Sequence, residues 1–92
     1  MPEEFYEFQD DTYERLRVAG ISPRSALEVL HGGAVVRRHI GAALQVAGRD
    51  RSGTWLAISL IETNVDDRYT VTGARLLDQK EIAAIARMRG EC

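Results

Sequence analysis

This sequence is poor in cysteine, lysine and histidine, and it has no long apolar run. Its single cysteine, Cys92, has no partner in the chain, which excludes a disulfide framework and makes the cytoplasm the default expectation. No apolar stretch approaches the roughly 18–20 residues needed to cross a bilayer, so no membrane association is expected. The opening MPEEFYEFQDD is acidic and lacks the apolar centre of a signal peptide. Cysteine and histidine do not recur at metal-ligand spacing, no glycine-rich loop precedes a helix, and no Ser/His/Asp order has supporting context. Neither a metal nor a cofactor is therefore expected. Lysine is nearly absent: eleven of the twelve basic residues are arginine, and the other is Lys80. Arginine stays ionised at any physiological pH, and its planar fork offers five donors to a phosphate or carboxylate.

What is present fits one small domain spanning residues 1–92. The chain is 45% hydrophobic and 28% charged, ordinary for a globular protein with a modest core. The net charge of −2 argues against a constitutive polyanion binder. Its distribution is uneven. Residues 1–14 hold six acids and no base, whereas residues 15–51 hold seven arginines against Glu28 and Asp50. The acidic head and basic middle are either two faces of opposite potential or simply solvated surface charge.

Alternation over Glu4–Phe8 predicts a short strand. Asp10 and Asp11 are placed to cap a helix over Thr12–Ala19, with Tyr13 and Leu16 inward and Gly20 beyond its end. Ser22 and Pro23 open a second helix as N-cap and N1, and Gly32–Gly33 terminate it. Ala26, Leu27 and Leu30 are its buried stripe, with Arg24 and Glu28 on the wet side. From Ala34 the period changes to two. AVVRRHI, ALQVAGR, TWLAISLIE and RYTVTGARL read as four strands with tight connections, and turns are expected at Arg49–Gly53 and Asn64–Asp67. A last helix begins at Asp78, with Glu81 three residues on as a capping-box partner, and Ile82, Ile85 and Ala86 or Met88 toward the sheet. The expected order is β-α-α-β-β-β-β-α. Consecutive strands imply antiparallel pairing, hence an α+β domain with helices packed on an antiparallel sheet. Thr54–Glu62 is its expected centre. Leu56, Ile58 and Leu60 face the helices, and the apolar set Trp55, Ala57, Ser59 and Ile61 faces the last helix or a partner.

Three stretches resemble the BrnT-type toxins of the RelE/ParE superfamily of bacterial toxin–antitoxin modules: RVAGISPRSALEVLHGG, RRHIGAALQVAGRDRSGTWLAISL and RYTVTGARLLDQKEIAAI, together about residues 15–86. The resemblance implies a compact RelE-like two-layer domain that cleaves RNA without a metal and is silenced by a cognate antitoxin. It matches Arg75 to the arginine of the family's Ala-Arg pair, and Arg68 to the arginine that opens the same strand.

Metal-independent RNA cleavage needs an activated 2′-OH, a stabilised phosphorane and a protonated leaving oxygen. Arg75 and Arg68 suit the phosphorane; a regular strand aims them in opposite directions, unless a bulge intervenes. The bland alternative for Arg75 is a salt bridge to Asp78 or Glu81. His39 is the candidate acid–base group, or else an edge-strand histidine that discourages aggregation. Arg37 and Arg38 are the candidate RNA-binding residues. His31 is expected to complement a helix C-terminus. A rival reading is a non-catalytic interaction domain that pairs, for example as a homodimer, through Trp55 and Ile61. A third is an accessory factor that holds a small anion among the arginines.

Overall fold

A computed structural model describes residues 5–65 and 68–88. Among the described residues nine elements follow one another: β1 (Phe5–Phe8), α1 (Asp10–Ala19), α2 (Pro23–Glu28), a π-helical turn (Val29–Gly33), β2 (Ala34–Ile40), β3 (Ala43–Arg49), β4 (Trp55–Glu62), β5 (Arg68–Leu76) and α3 (Gln79–Met88). The expected α+β class and element order are found, with the π-helical turn added. The sheet order is β1-β5-β4-β3-β2, which puts β4 at the centre.

The sheet is mixed rather than wholly antiparallel, because β1 pairs with β5 in parallel, Phe5 against Arg68 and Phe8 against Val71. Parallel pairing needs a long crossover, and here everything from α1 to β4 supplies it. Beyond β1 the chain turns into α1, which continues along the same edge of β5. There the Thr12 hydroxyl donates to the Val71 carbonyl at 2.5 Å, and Arg15 Nη1 donates to the Thr72 carbonyl at 3.0 Å. A strand and a helix thus share the covering of one exposed edge.

Local signals explain the helix ends. Gln9, not Asp10 or Asp11, is the N-cap of α1. Its backbone N–H reaches Thr12 Oγ1 at 3.4 Å, while both aspartates lie in the first turn, where they complement the dipole. Gly20 closes the helix at φ 76°, and the Ile21 N–H returns to the Leu16 carbonyl, a Schellman-type ending that favours glycine. Ser22 caps α2 by accepting from the Ser25 N–H at 3.1 Å. The Asp78 carboxylate accepts from the Glu81 N–H, and Glu81 accepts in return from the Asp78 N–H, as the capping-box spacing predicts.

One face of the sheet is sealed. Leu44, Val46, Leu56, Ile58, Leu60 and Val71 are buried against Leu16, Ile21, Ala26, Val29 and Leu30. Tyr13 is exposed and stacks on Phe8 instead, while Thr12 takes the buried position. The helix α3 lies on the opposite face, where buried Ile85 lines a cleft with Val36, Ala47 and Ala57. Helices therefore flank the sheet on both sides, a departure from the expected two-layer arrangement. The Asn64–Asp67 turn is described only through Val65.

Candidate functional site

A break in strand regularity decides where the arginines point. Leu60 pairs with Val71, but Ser59 pairs with Gly73, so Thr72 is an extra residue in β5. Its hydroxyl donates to the Ser59 carbonyl at 3.1 Å, and its own carbonyl accepts from Arg15. This bulge shifts the strand phase by one. Tyr69 and Val71 face the core, and beyond the bulge so does Ala74; Arg68 and Arg75 are turned to the same outer face. In a regular strand Arg75 would have joined Tyr69 and Val71.

Three cross-strand rows make up most of that outer face, with the pair Arg49 and Trp55 beyond them. Val36, Ala47, Ala57 and Arg75 form the row beneath α3. Arg38, Gln45, Ser59 and Gly73 form the next, and Ile40, Ala43, Ile61 and Thr70 the third. Over the middle row lies a hollow of about 300 Å³, lined by Arg15, Gln45, Ser59, Gly73 and Arg75 among others. Gln45, Ala57 and Arg75 also line the cleft beneath α3, whose far side carries Arg38. Arg15, Arg75 and Arg38 thus surround a floor of neutral, mostly small residues. A Cβ added at Gly73 would sit 3.9 Å from Arg15 Cδ, so the arginine stem lies directly over the strand.

The expected site residues do not all converge. Arg75 holds Glu81 through both arms of its guanidinium, at 2.7 and 2.5 Å, the salt bridge that was the alternative to a functional role. This contact raises the Arg75 pKa. It also draws the Glu81 carboxylate down to about 2, with the Asp78 N–H as the second cause. Arg68 shares the outer face but stands at the other end of β5, roughly 20 Å away at strand rise. It pairs there with Glu7 at 3.3 Å and lies over Phe5. His39 pairs with Leu44, on the inner side of β2, and its Nδ1 lies 3.6 Å from Glu62 Oε1. The sheet therefore separates His39 from Arg75, and the two do not make one acid–base and phosphate site. Arg37 takes the inner register opposite Val46, although it borders the α3 cleft. Of the neighbouring pair, Arg38 is the one on the outer face.

Trp55 and Ile61 share the outer face as expected, yet they do not form one patch. Six residues along a strand separate them by roughly 20 Å, and Arg49 stacks over Trp55 at 5.1 Å. Ile61 instead neighbours Ile40 across Ala43, and both isoleucines are about half exposed, at 45% and 51%. His31 lies in the π-helical turn, its ring edge-on to Tyr6 at 5.4 Å. Sequence reasoning missed Arg15 and Gln45, and it placed Ser59 on this face only as part of an apolar set. A signal for the bulge was present: the apolar pair Tyr69/Val71 and the pair Ala74/Leu76 are out of phase by one, with a strand-interior glycine between them.

Among the described residues no helix is long and apolar enough to cross a membrane, and no group of three or more His, Cys, Asp or Glu residues is placed to hold a metal ion. No protein-family model matches the sequence, and no curated protein matches it.

Proposed function

We propose that this domain binds RNA on the outer face of its sheet, as a BrnT-like toxin of the RelE/ParE superfamily acting in the cytoplasm. The observation that carries the reading is the middle row of that face. Arg15 and Arg75, sixty residues apart in sequence, line one hollow over Gln45, Ser59 and Gly73, and Arg38 ends the same row. Among the described residues no carboxylate lines this hollow. Backbone phosphates carry most of the affinity in sequence-independent RNA binding, and guanidiniums around a neutral floor meet that requirement. In cleavage, Arg75 and Arg15 stabilise the phosphorane charge. The residues lining the hollow include no histidine or carboxylate, so proton transfer falls to water. Phosphate must also displace Glu81 from Arg75. A slow ribonuclease follows, one that a cognate antitoxin silences by covering the same face.

Growth on expressing the chain alone, and anisotropy of a labelled single-stranded RNA with purified protein, test this reading. Growth arrest and salt-sensitive binding are expected, both relieved by Arg15→Ala with Arg75→Ala. His39→Ala, on the other face, should match the wild type. Normal growth with abundant folded protein, together with no binding at low salt, would sink the proposal.

A second reading is favoured by the exposed pair Ile40 and Ile61: self-association through the outer row. It predicts a dimer in light scattering that Ile61→Arg dissociates. Trp55, covered by Arg49, takes no part.

A further inference from the structure

Another hollow lies apart from the three rows described above and shares no lining residue with them. It measures about 550 Å³ and is lined by Arg24, Leu27, Glu28, His31, Arg49 and Arg51, among others. Three separate segments supply the cations: α2 gives Arg24, the end of β3 gives Arg49, and the β3–β4 hairpin gives Arg51. The π-helical turn adds His31. Such turns are rare and recur at functional sites.

Local bonding fixes what this hollow lacks. Asp50 is committed to the hairpin: its Oδ1 accepts from the Ser52 N–H, the Ser52 hydroxyl and the Thr54 N–H. Those bonds, the Ser52 hydroxyl first, hold its pKa below the ordinary value. Glu28 and the ionised Asp50 are the two carboxylates that line the hollow with Arg24, Arg49 and Arg51; Glu28 is the one that meets Arg24 and Arg51. Its Oε1 accepts from the Arg51 N–H at 3.1 Å. Its Oε2 stands 3.7 Å from Arg24 Nε and 4.0 Å from Arg51 Nε, both beyond hydrogen-bonding distance. Arg24 and Arg51 are 85% and 84% exposed, while stacking on Trp55 orients Arg49. Each guanidinium carries five donors, and one carboxylate offers two oxygens.

We infer that this hollow binds a phosphate monoester carried by a small organic molecule, held by Arg24, Arg49 and Arg51 with His31 at the rim. A phosphate dianion supplies three strong acceptors, and the three guanidiniums outnumber the two carboxylates, Glu28 and Asp50, by one charge. The volume falls within the ~300–1,000 Å³ usual for small-ligand sites and exceeds what a bare phosphate fills. Glu28 competes with the ligand, so neutralising it strengthens binding.

Amide NMR titration of the full chain with adenosine 5′-monophosphate, and separately with adenosine, tests the assignment. Saturable shifts at Gly32, Arg51 and Ser52 are expected with the monophosphate and none with the nucleoside. Arg24→Ala with Arg51→Ala, both at exposed positions, should weaken binding about tenfold or more, the loss of two charge-assisted contacts. Glu28→Gln keeps the acceptor for the Arg51 N–H and should tighten binding several-fold. Unsaturable shifts, equal shifts with adenosine, or indifference to the arginine pair would overturn the proposal. So would loss of binding through Arg15→Ala and Arg75→Ala instead, which would move the phosphate to the outer face.

Discussion

The two faces of the sheet are built from the same strands and obey different rules. On β4, Leu56, Ile58 and Leu60 are almost wholly buried, while their neighbours Ala57, Ser59 and Ile61 lie on a face that α3 covers only at one end. The inner face is aliphatic where α1, α2 and the π-helical turn close it, and it opens at the end of β2 and β4, where His39 and Glu62 are exposed. The outer face grades from small residues under α3, through a polar row flanked by arginines, to two exposed isoleucines. Stability is concentrated on the inner side, and on the sheet itself the arginines around a neutral floor lie on the outer one.

The sharpest way to break this contrast uses two adjacent residues. Leu60→Ala removes a buried side chain and is expected to cost about 2–5 kcal/mol. Ile61→Ala, one position on, should cost well under about 1 kcal/mol, as surface substitutions do. Urea denaturation of both variants measures the difference. Similar losses would mean that the outer row is covered in solution, which favours the self-association reading.

A second test addresses the edge where the faces meet. Thr12 is buried, and its hydroxyl donates to the Val71 carbonyl at the point where β1 stops pairing with β5. Thr12→Val keeps the shape and removes the donor, leaving a buried acceptor unmet. A loss of about 1–3 kcal/mol is expected. An unchanged denaturation midpoint would show that Leu16 packing and the Arg15 bond to Thr72 hold α1 without the Thr12 hydroxyl.

Much of the inner face was legible in the sequence because burial imposes period. Leu56, Ile58 and Leu60 alternate strictly, and Ser22-Pro23 and Asp78/Glu81 mark helix starts through local hydrogen bonds. What was not legible depends on distant parts of the chain. Phe5–Phe8 pairs with a strand more than sixty residues later, and no local pattern fixes parallel or antiparallel pairing there. The bulge at Thr72 reversed the expected facing of Arg75, because side-chain period is read by counting and one extra residue shifts every later position. That the last helix covers part of the outer face was one of the two readings left open for Trp55, Ala57, Ser59 and Ile61, and α3 does lie over Ala57. The outer hollow needed Arg15, whose role depends on α1 lying along β5.

The RNA reading separates two arginines of the same strand. Arg75 and Arg15 line the hollow, whereas Arg68 lies at the other end of β5 with Glu7 and Phe5. The slope of log affinity against log salt should fall by about 1 for each of Arg15→Ala and Arg75→Ala, if each meets one phosphate. Arg68→Ala should leave the slope nearly unchanged over a short oligonucleotide. Equal slopes for all three would point to diffuse attraction rather than a site.

The smallest expected effect concerns the latch between Arg75 and α3. Glu81 ionises at about 2 in the folded chain, against an ordinary value of 4.5. A carboxylate with a depressed folded pKa contributes its full stabilisation above the ordinary value and loses it as pH falls toward the folded one. The contribution is therefore complete above about pH 4.5 and disappears between there and about pH 2. Both side chains are partly exposed, at 60% and 32%, so water weakens the pair and the change in melting temperature should be slight. Glu81→Gln should flatten the acid limb of the melting curve over that window and leave neutral pH nearly untouched. The same substitution frees the Arg75 fork, so RNA affinity should rise at neutral pH, where stability barely moves. A rise in affinity would identify Glu81 as a competitor for the phosphate; unchanged affinity would place Arg75 in the framework that holds α3 to the sheet.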